Sequence, residues 1–172
     1  MVNRIAELLR ENGAVEFGDF TLASGRKSSY YLDVKKAVTH PAVLMAIGEE
    51  MARRADFDVV AGVAVGGISI AVATAIASSK PYAIIRSAGK SHGTGGRIIG
   101  NISGKRVLLV EDVTTSGGSV IGGIEELRAG GAEIDTVVTV VDREAGAAEA
   151  LGRLGVHLVA LATARDVVQW RE

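Results

Sequence analysis

The stretch Val107-Leu-Leu-Val-Glu111-Asp112-Val-Thr114-Thr115-Ser116-Gly117-Gly118-Ser119 joins three signals without a gap. Its first part predicts a strand over 106–110, uncharged after Arg106 and of the kind buried on both faces of a parallel sheet. Two acids follow at the expected carboxyl end of that strand. A hydroxyl- and glycine-rich turn then opens a helical pattern over Gly118–Ala129. In open α/β sheets, ligands bind beyond the carboxyl ends of strands. A helix N-terminus there offers unpaired N–H groups and a dipole that favours a phosphate dianion, and Gly117 and Gly118 place no Cβ in its way. Glu111 and Asp112 stand where they can accept hydrogen bonds from sugar hydroxyls or face hydrated magnesium. An acidic strand end followed by an ordinary capped helix accounts for each piece alone, but not for Thr-Thr-Ser-Gly-Gly at this spacing. The turn is not a Walker A loop: Gly89-Lys90-Ser91 mimics that motif's tail, but Ile84 stands where its first glycine belongs.

Outward from this stretch, short apolar runs alternate with helical patterns. Strands are predicted at Val59–Val63, Tyr82–Ile85, Ile134–Val141 and Val156–Leu161, and helices at Pro41–Arg54, Ile68–Ser78 and Ala145–Leu154. Continuous Val/Leu/Ile strands separated by helices specify an α/β fold: a doubly wound, mostly parallel sheet flanked by helices. Extended pieces at Ala14–Phe17, Phe20–Leu22 and Tyr30–Asp33 predict a small N-terminal hood outside the main sheet. Residues 86–105 contain six glycines, four cations and no acid, and a loop that long inside a compact domain is functional or mobile. One domain over 1–172 is expected, with a hood over about 1–35 plus the C-terminal segment, a core over about 40–160 and a mobile loop over about 86–98.

Composition narrows the function classes. Nineteen basic against twenty acidic residues give no global pull toward nucleic acid or membrane. Without cysteine, disulfides, thiolate zinc sites and a cysteine nucleophile are excluded, which fits a cytoplasmic protein. The uncharged run Val59–Ser79 is long enough to span a bilayer, but Gly66-Gly67 divides it into a buried strand and a buried helix. The Asn101-Ile-Ser103 sequon carries no weight without a secretion signal.

Val107–Ser119 resembles the phosphoribosyl pyrophosphate (PRPP) signature of the type I phosphoribosyltransferase family. Three further segments are similar to that family's orotate branch. Phe20–Asp33 resembles the hood, Arg86–Gly96 the catalytic loop, and Val141-Asp142-Arg143-Glu144 the segment whose arginine faces a carboxylate on the base. The resemblance implies orotate phosphoribosyl transfer with Mg2+ as cofactor, giving orotidine 5-monophosphate and pyrophosphate. It implies PRPP contacts from Arg86, Lys90, His92, Glu111, Asp112, Val113, Thr114, Thr115, Ser116, Gly117, Gly118 and Ser119. Lys90, His92 and Asp112 carry the catalytic roles. Orotate contacts are expected from Ser24, Arg26, Lys27, Tyr30, Tyr31, Thr115 and Arg143. Magnesium would be carried by PRPP and water near Glu111 and Asp112. A homodimer is implied, with loop 86–98 reaching the neighbouring site.

The chain departs from the family at four places: Ala23, Gly66 and Ser87 stand where lysines are common, and Thr94 where an acid is frequent. Arg86, Lys90, His92, Arg26 and Lys27 are then left with a larger share of the charge on pyrophosphate. His40 reads as structural or exposed, His157 as a packed or edge residue of a strand, and Trp170 as a packing anchor. Tyr30 and Tyr31 alternate across a strand, so one faces ligand if the other faces the core. The alternatives are a purine or uracil phosphoribosyltransferase, or a non-catalytic nucleotide-sensing regulator with the same fold. No helix-turn-helix extension or basic stripe outside the loop supports nucleic-acid binding.

Overall fold

The computed structural model describes residues 3–21, 25, 27–86 and 97–169. In chain order the elements are α1 (Arg4–Glu11), β1 (Val15–Thr21), β2 (Lys27–Leu32), α2 (Val34–Ala37), α3 (Pro41–Ala52), β3 (Val59–Val63), α4 (Gly66–Ser78) and β4 (Tyr82–Ile85). They continue with β5 (Ile98–Ile99), β6 (Val107–Thr114), α5 (Gly118–Ala129), β7 (Thr136–Asp142), α6 (Ala147–Gly152), β8 (His157–Thr163) and α7 (Ala164–Val168). Six strands form one sheet in the order β5-β4-β3-β6-β7-β8. Every neighbouring pair is parallel except β4 and β5. This is the doubly wound, mostly parallel α/β sheet that the apolar runs predict.

Strand alternation divides the core in two. Val60, Leu108, Val110, Val138 and Val140 pack with Ile47 of α3 and Ile70 of α4, and with residues of α1, α2 and α7. Val59, Ala61, Leu109 and Val137 face the other way, onto Val120, Ile124 and Leu127 of α5 and Leu151 of α6. Burying both faces is what requires these strands to be apolar throughout.

The hood pieces form a separate antiparallel hairpin, β1 with β2, whose register shifts between Phe17 and Phe20. The bulge joins into one strand the two extended segments that the sequence suggests are separate. The hairpin is tied to the body at its base, where the Asp33 N–H donates to the Ala14 carbonyl. Chain ends meet as well: Arg10 of α1 donates to the carbonyls of Asp166 and Gln169, and the Asn3 side chain donates to Leu161 while accepting from the Ile5 and Ala6 N–H groups.

Sheet order places the functional end of the molecule. From β3 the chain moves outward to β4, then returns to β6 on the other side of β3, so the crevice between β3 and β6 is a topological switch point, where such sheets bind ligands. Pairing of β3 with β6 ends at Gly62 with Val110. Pairing of β6 with β7 continues to Thr114 with Asp142. The acids Glu111 and Asp112, expected at the carboxyl end of a strand closing at Val110, therefore lie inside β6, which runs on to Thr114. They occupy the part of the strand that keeps β7 as a neighbour and has lost β3.

Candidate functional site

Because side chains alternate along β6, the two acids point to opposite faces of the sheet. Glu111 follows Leu109 toward α5, and its carboxylate accepts from the Ser119 hydroxyl at 3.2 Å and from the Asp112 N–H at 3.0 Å. Asp112 follows Val110 toward α4 and α2. Its Oδ1 accepts from the Val113 N–H at 2.8 Å and its Oδ2 from the Lys35 ammonium at 3.2 Å. Both residues are buried, at 5% and 8% exposure. Burial, reinforced by the neighbouring Asp112 carboxylate, pushes the Glu111 carboxyl up to about 8. Lys35 moves upward from its ordinary value: burial opposes its charge, but Asp112 and then Asp33 outweigh it.

Gly66 explains why Asp112 fits there. A Cβ on Gly66 would stand 2.3 Å from Asp112 Oδ2 and 2.5 Å from its Cγ, so the carboxylate occupies the space in which a side chain at 66 would begin. Beside it, a Cβ on Gly62 would meet the Gly67 carbonyl oxygen at 2.2 Å, and one on Gly67 the Val110 carbonyl oxygen at 2.9 Å. Neither Gly66 nor Gly67 has a positive φ. Glycine is needed here for the close approach of β3, the start of α4 and β6, rather than for an unusual backbone conformation.

The turn after β6 has the form of an anion cradle. Gly117 is the N-cap of α5 with φ 87°, and no side chain caps the helix, so its first-turn N–H groups have no side-chain acceptor. Gly118 has open space where a Cβ would lie. Among the hydroxyls, Thr114 is buried and donates to Asp142 at 2.9 Å, and Ser119 donates to Glu111. Each hydroxyl has one proton to donate. Thr115, Ser116 and Gly118 are exposed and form the solvent-facing surface of the turn, while Gly117 is buried between them. Val113 is half-buried. Beyond the cradle, the Thr115 carbonyl accepts from the Ala147 N–H.

On the β7 side, the Arg143 N–H donates to the Thr114 carbonyl at 2.9 Å, and its guanidinium carbon lies 5.7 Å from the centre of the Tyr30 ring. Tyr30 is half-buried and packs against the core. Tyr31 points the other way, 47% exposed, with its ring 5.7 Å from that of Phe20. Of the two tyrosines, Tyr30 is the one brought to Arg143. Lys27 is held on the hairpin, donating to the Thr21 hydroxyl at 2.8 Å. Arg86 sits where the long glycine-rich segment leaves β4, and its N–H donates to the Arg97 carbonyl at 2.8 Å. With the pairing of Ile85 with Ile98, this contact closes the base of that segment. Ser24, Arg26, Lys90, His92 and Trp170 lie outside the described residues, as do Ala23, Ser87 and Thr94. His40 is exposed at the N-cap of α3 and His157 is exposed at the first residue of edge strand β8.

Sequence reasoning missed Lys35 and Asp142. Nothing in Val34-Lys35-Lys36 marks which lysine reaches 77 residues ahead; Lys36 pairs instead with Glu16. Asp142 was visible only as part of the Arg143 segment, whereas it fixes the Thr114 hydroxyl.

Residues 33–152 match the family model described as the phosphoribosyl transferase domain. The chain is also 60% identical over 168 residues to the orotate phosphoribosyltransferase of Methanoculleus marisnigri, covering 98% of this chain and 99% of that one. The chain belongs to the orotate phosphoribosyltransferase family. Solved structures agree. That of orotate phosphoribosyltransferase from Aeropyrum pernix superimposes with a TM-score of 0.83 at 36% identity, over 95% of this chain and 96% of that one. That of the Mycobacterium tuberculosis H37Rv enzyme in complex with PRPP does so at 0.80 and 31% identity, over 97% and 98%. The resemblance first carried by Val107–Ser119 thus extends over nearly the whole chain.

Proposed function

We propose that the chain transfers the 5-phosphoribosyl group of PRPP to orotate, releasing pyrophosphate and forming orotidine 5-monophosphate. The observation that carries this reading is the acid pair of β6 at the β3/β6 switch point, followed directly by a helix that begins on an uncapped glycine. The choice of orotate over a purine or uracil is supported by relatives that carry that name at 60% and 57% identity.

In this reading the 5-phosphate lies against the α5 N-terminus, with donors from Thr115, Ser116 and the backbone of Gly117 and Gly118. The ribose hydroxyls donate to Asp112 and Glu111. Arg143, backed by the Tyr30 ring, pairs with the orotate carboxylate, since a guanidinium fork matches a carboxylate in shape and charge. The C1–O bond to pyrophosphate breaks as orotate nitrogen bonds to C1. The residues serve to orient both reactants and to stabilise the departing negative charge. Arg86, and Lys90 and His92 of the glycine-rich segment, are assigned to that charge and to excluding water from C1.

Magnesium is proposed as the cofactor. No cluster of three or more His, Asp or Glu side chains among the described residues forms a cage for a metal ion. Magnesium would be carried by PRPP oxygens and water near Asp112 and Glu111, as suits an ion that dehydrates reluctantly. When bound, it would offset charge on the pyrophosphate. We also assign the chain to the cytoplasm and to a homodimer in which residues 86–98 serve the neighbouring site; no helix among the described residues is long and apolar enough to cross a membrane. The test is pyrophosphate release from PRPP in the presence of orotate, uracil, adenine or hypoxanthine. Release with orotate alone is expected, and release driven by a purine instead would overturn the assignment.

A further inference from the structure

The two acids of β6 are consecutive and buried, and their side chains lie on opposite faces of the sheet. Among the described residues, only Asp112 of the two has a cation beside it. Lys35 Nζ reaches Asp112 Oδ2 at 3.2 Å and Asp33 Oδ1 at 3.6 Å. Its side chain is 58% exposed, which puts the ammonium at the rim of the crevice and not beneath it. An ammonium carries three donors; among the described residues it is hydrogen-bonded to Asp112 and ion-paired with Asp33, which leaves a donor for an incoming oxygen. Asp112 is thus confined from three sides: by the Gly66 backbone, which leaves room for the carboxylate only because it lacks a Cβ, by the Val113 N–H and by Lys35. Lys35 is itself placed by the short helix α2, whose N-cap Asp33 accepts from the Lys35 N–H.

We infer that Lys35 is a positioning residue for the phosphoribosyl donor: it holds the Asp112 carboxylate aimed into the β3/β6 crevice, and a further donor of its ammonium meets a PRPP oxygen. This rests on the phosphoribosyltransferase reading above and adds to it a residue outside the expected site. The role is confined to the donor, because Arg143 and Tyr30, on the acceptor side, are bonded to neither Lys35 nor Asp112 among the described contacts.

The experiment compares the full chain with its Lys35→Met and Lys35→Arg variants. Calorimetry measures PRPP binding with magnesium and without orotate, and steady-state kinetics give KM for each substrate. Losing a charge-assisted hydrogen bond network of this kind is expected to raise the PRPP Kd and KM of Lys35→Met by about 10- to 100-fold, leaving the orotate KM within about 3-fold. Lys35→Arg, which keeps the charge, is expected to recover to within about 5-fold of the parent. Because the side chain is more than half exposed, Tm should move little. PRPP affinity unchanged in Lys35→Met, or PRPP and orotate KM rising together, overturns the inference. Failure of the underlying reading looks different: it appears in the unsubstituted chain, as no orotate-dependent pyrophosphate release and no PRPP binding.

Discussion

Replacing Gly62 by alanine tests the physical basis of the crevice. The added Cβ would sit 2.2 Å from the Gly67 carbonyl oxygen and 2.6 Å from its carbon. Ordinary contact begins near 3.4 Å, so something must move by 1.2 Å (3.4 less 2.2). Both obstacles are backbone and cannot rotate aside. β3 is held in parallel ladders by β4 and β6, and α4 is anchored by Ile70 and Ala71, neither of them exposed. Opening that packing by an ångström forfeits a quarter to a half of the dispersion energy across it. The cost should therefore reach or exceed the top of the roughly 1–3 kcal/mol range for overpacked cores. At about 2–4 °C per kcal/mol for a chain of this size, Tm should fall by roughly 6–12 °C. Because α4 begins at Gly66, against Asp112, pyrophosphate release should fall too, and at a temperature where the variant is still folded. Gly122→Ala is the control: in α5, with nothing within 4 Å of the new methyl, it should stabilise by about 0.5–1 kcal/mol through helix propensity. Thermal unfolding of both variants beside the parent is the assay. If Gly62→Ala melts within about 2 °C of the parent, the close approach is not what requires glycine at that position.

Three further outcomes are expected. Gly66→Ala brings a methyl within 2.3 Å of Asp112 Oδ2, so the carboxylate must leave Lys35 and the Val113 N–H; PRPP affinity should drop about tenfold or more, and unchanged calorimetric affinity would contradict this. Glu111 keeps its proton up to about pH 8 in the folded chain, whereas the unfolded chain releases it near 4.3, a typical glutamate value. Stability should therefore fall as pH rises through that window, and Glu111→Gln should remove this part of the slope; parallel Tm–pH curves for the two proteins would refute it. Tyr30→Leu removes the ring beneath the Arg143 guanidinium and should raise the orotate KM by about 2- to 30-fold with little change for PRPP; equal effects on both substrates would dissociate Tyr30 from acceptor binding.

Much of the fold is local enough to be read directly. β3, β4 and α5 have the bounds their apolar runs and periodicity predict. Buried strands and amphipathic helices carry that information in their own residues. Among the segments that escape, α2 has four residues, α7 five and β5 two, less than either period needs to declare itself. The helix expected at Ala145–Leu154 begins two residues later, because Gly146 takes φ 101° as its N-cap. β6 overruns its apolar part because β7 continues to pair with it as far as Asp142. A reading by hydrophobicity stops a strand at its first charges, while the sheet stops it where its neighbour does.

The same distinction separates what each level decided about the site. By itself, the order of residues determined that a buried strand would carry two adjacent acids into a turn of hydroxyl residues and glycines. Those are properties of neighbouring residues. Only tertiary structure decided what each acid meets: Ser119 for Glu111, and for Asp112 the ammonium of Lys35 and the bare backbone of Gly66. Such contacts join residues far apart in the chain, and the close packing that selects among equally plausible lysines and glycines exists only once the elements are assembled.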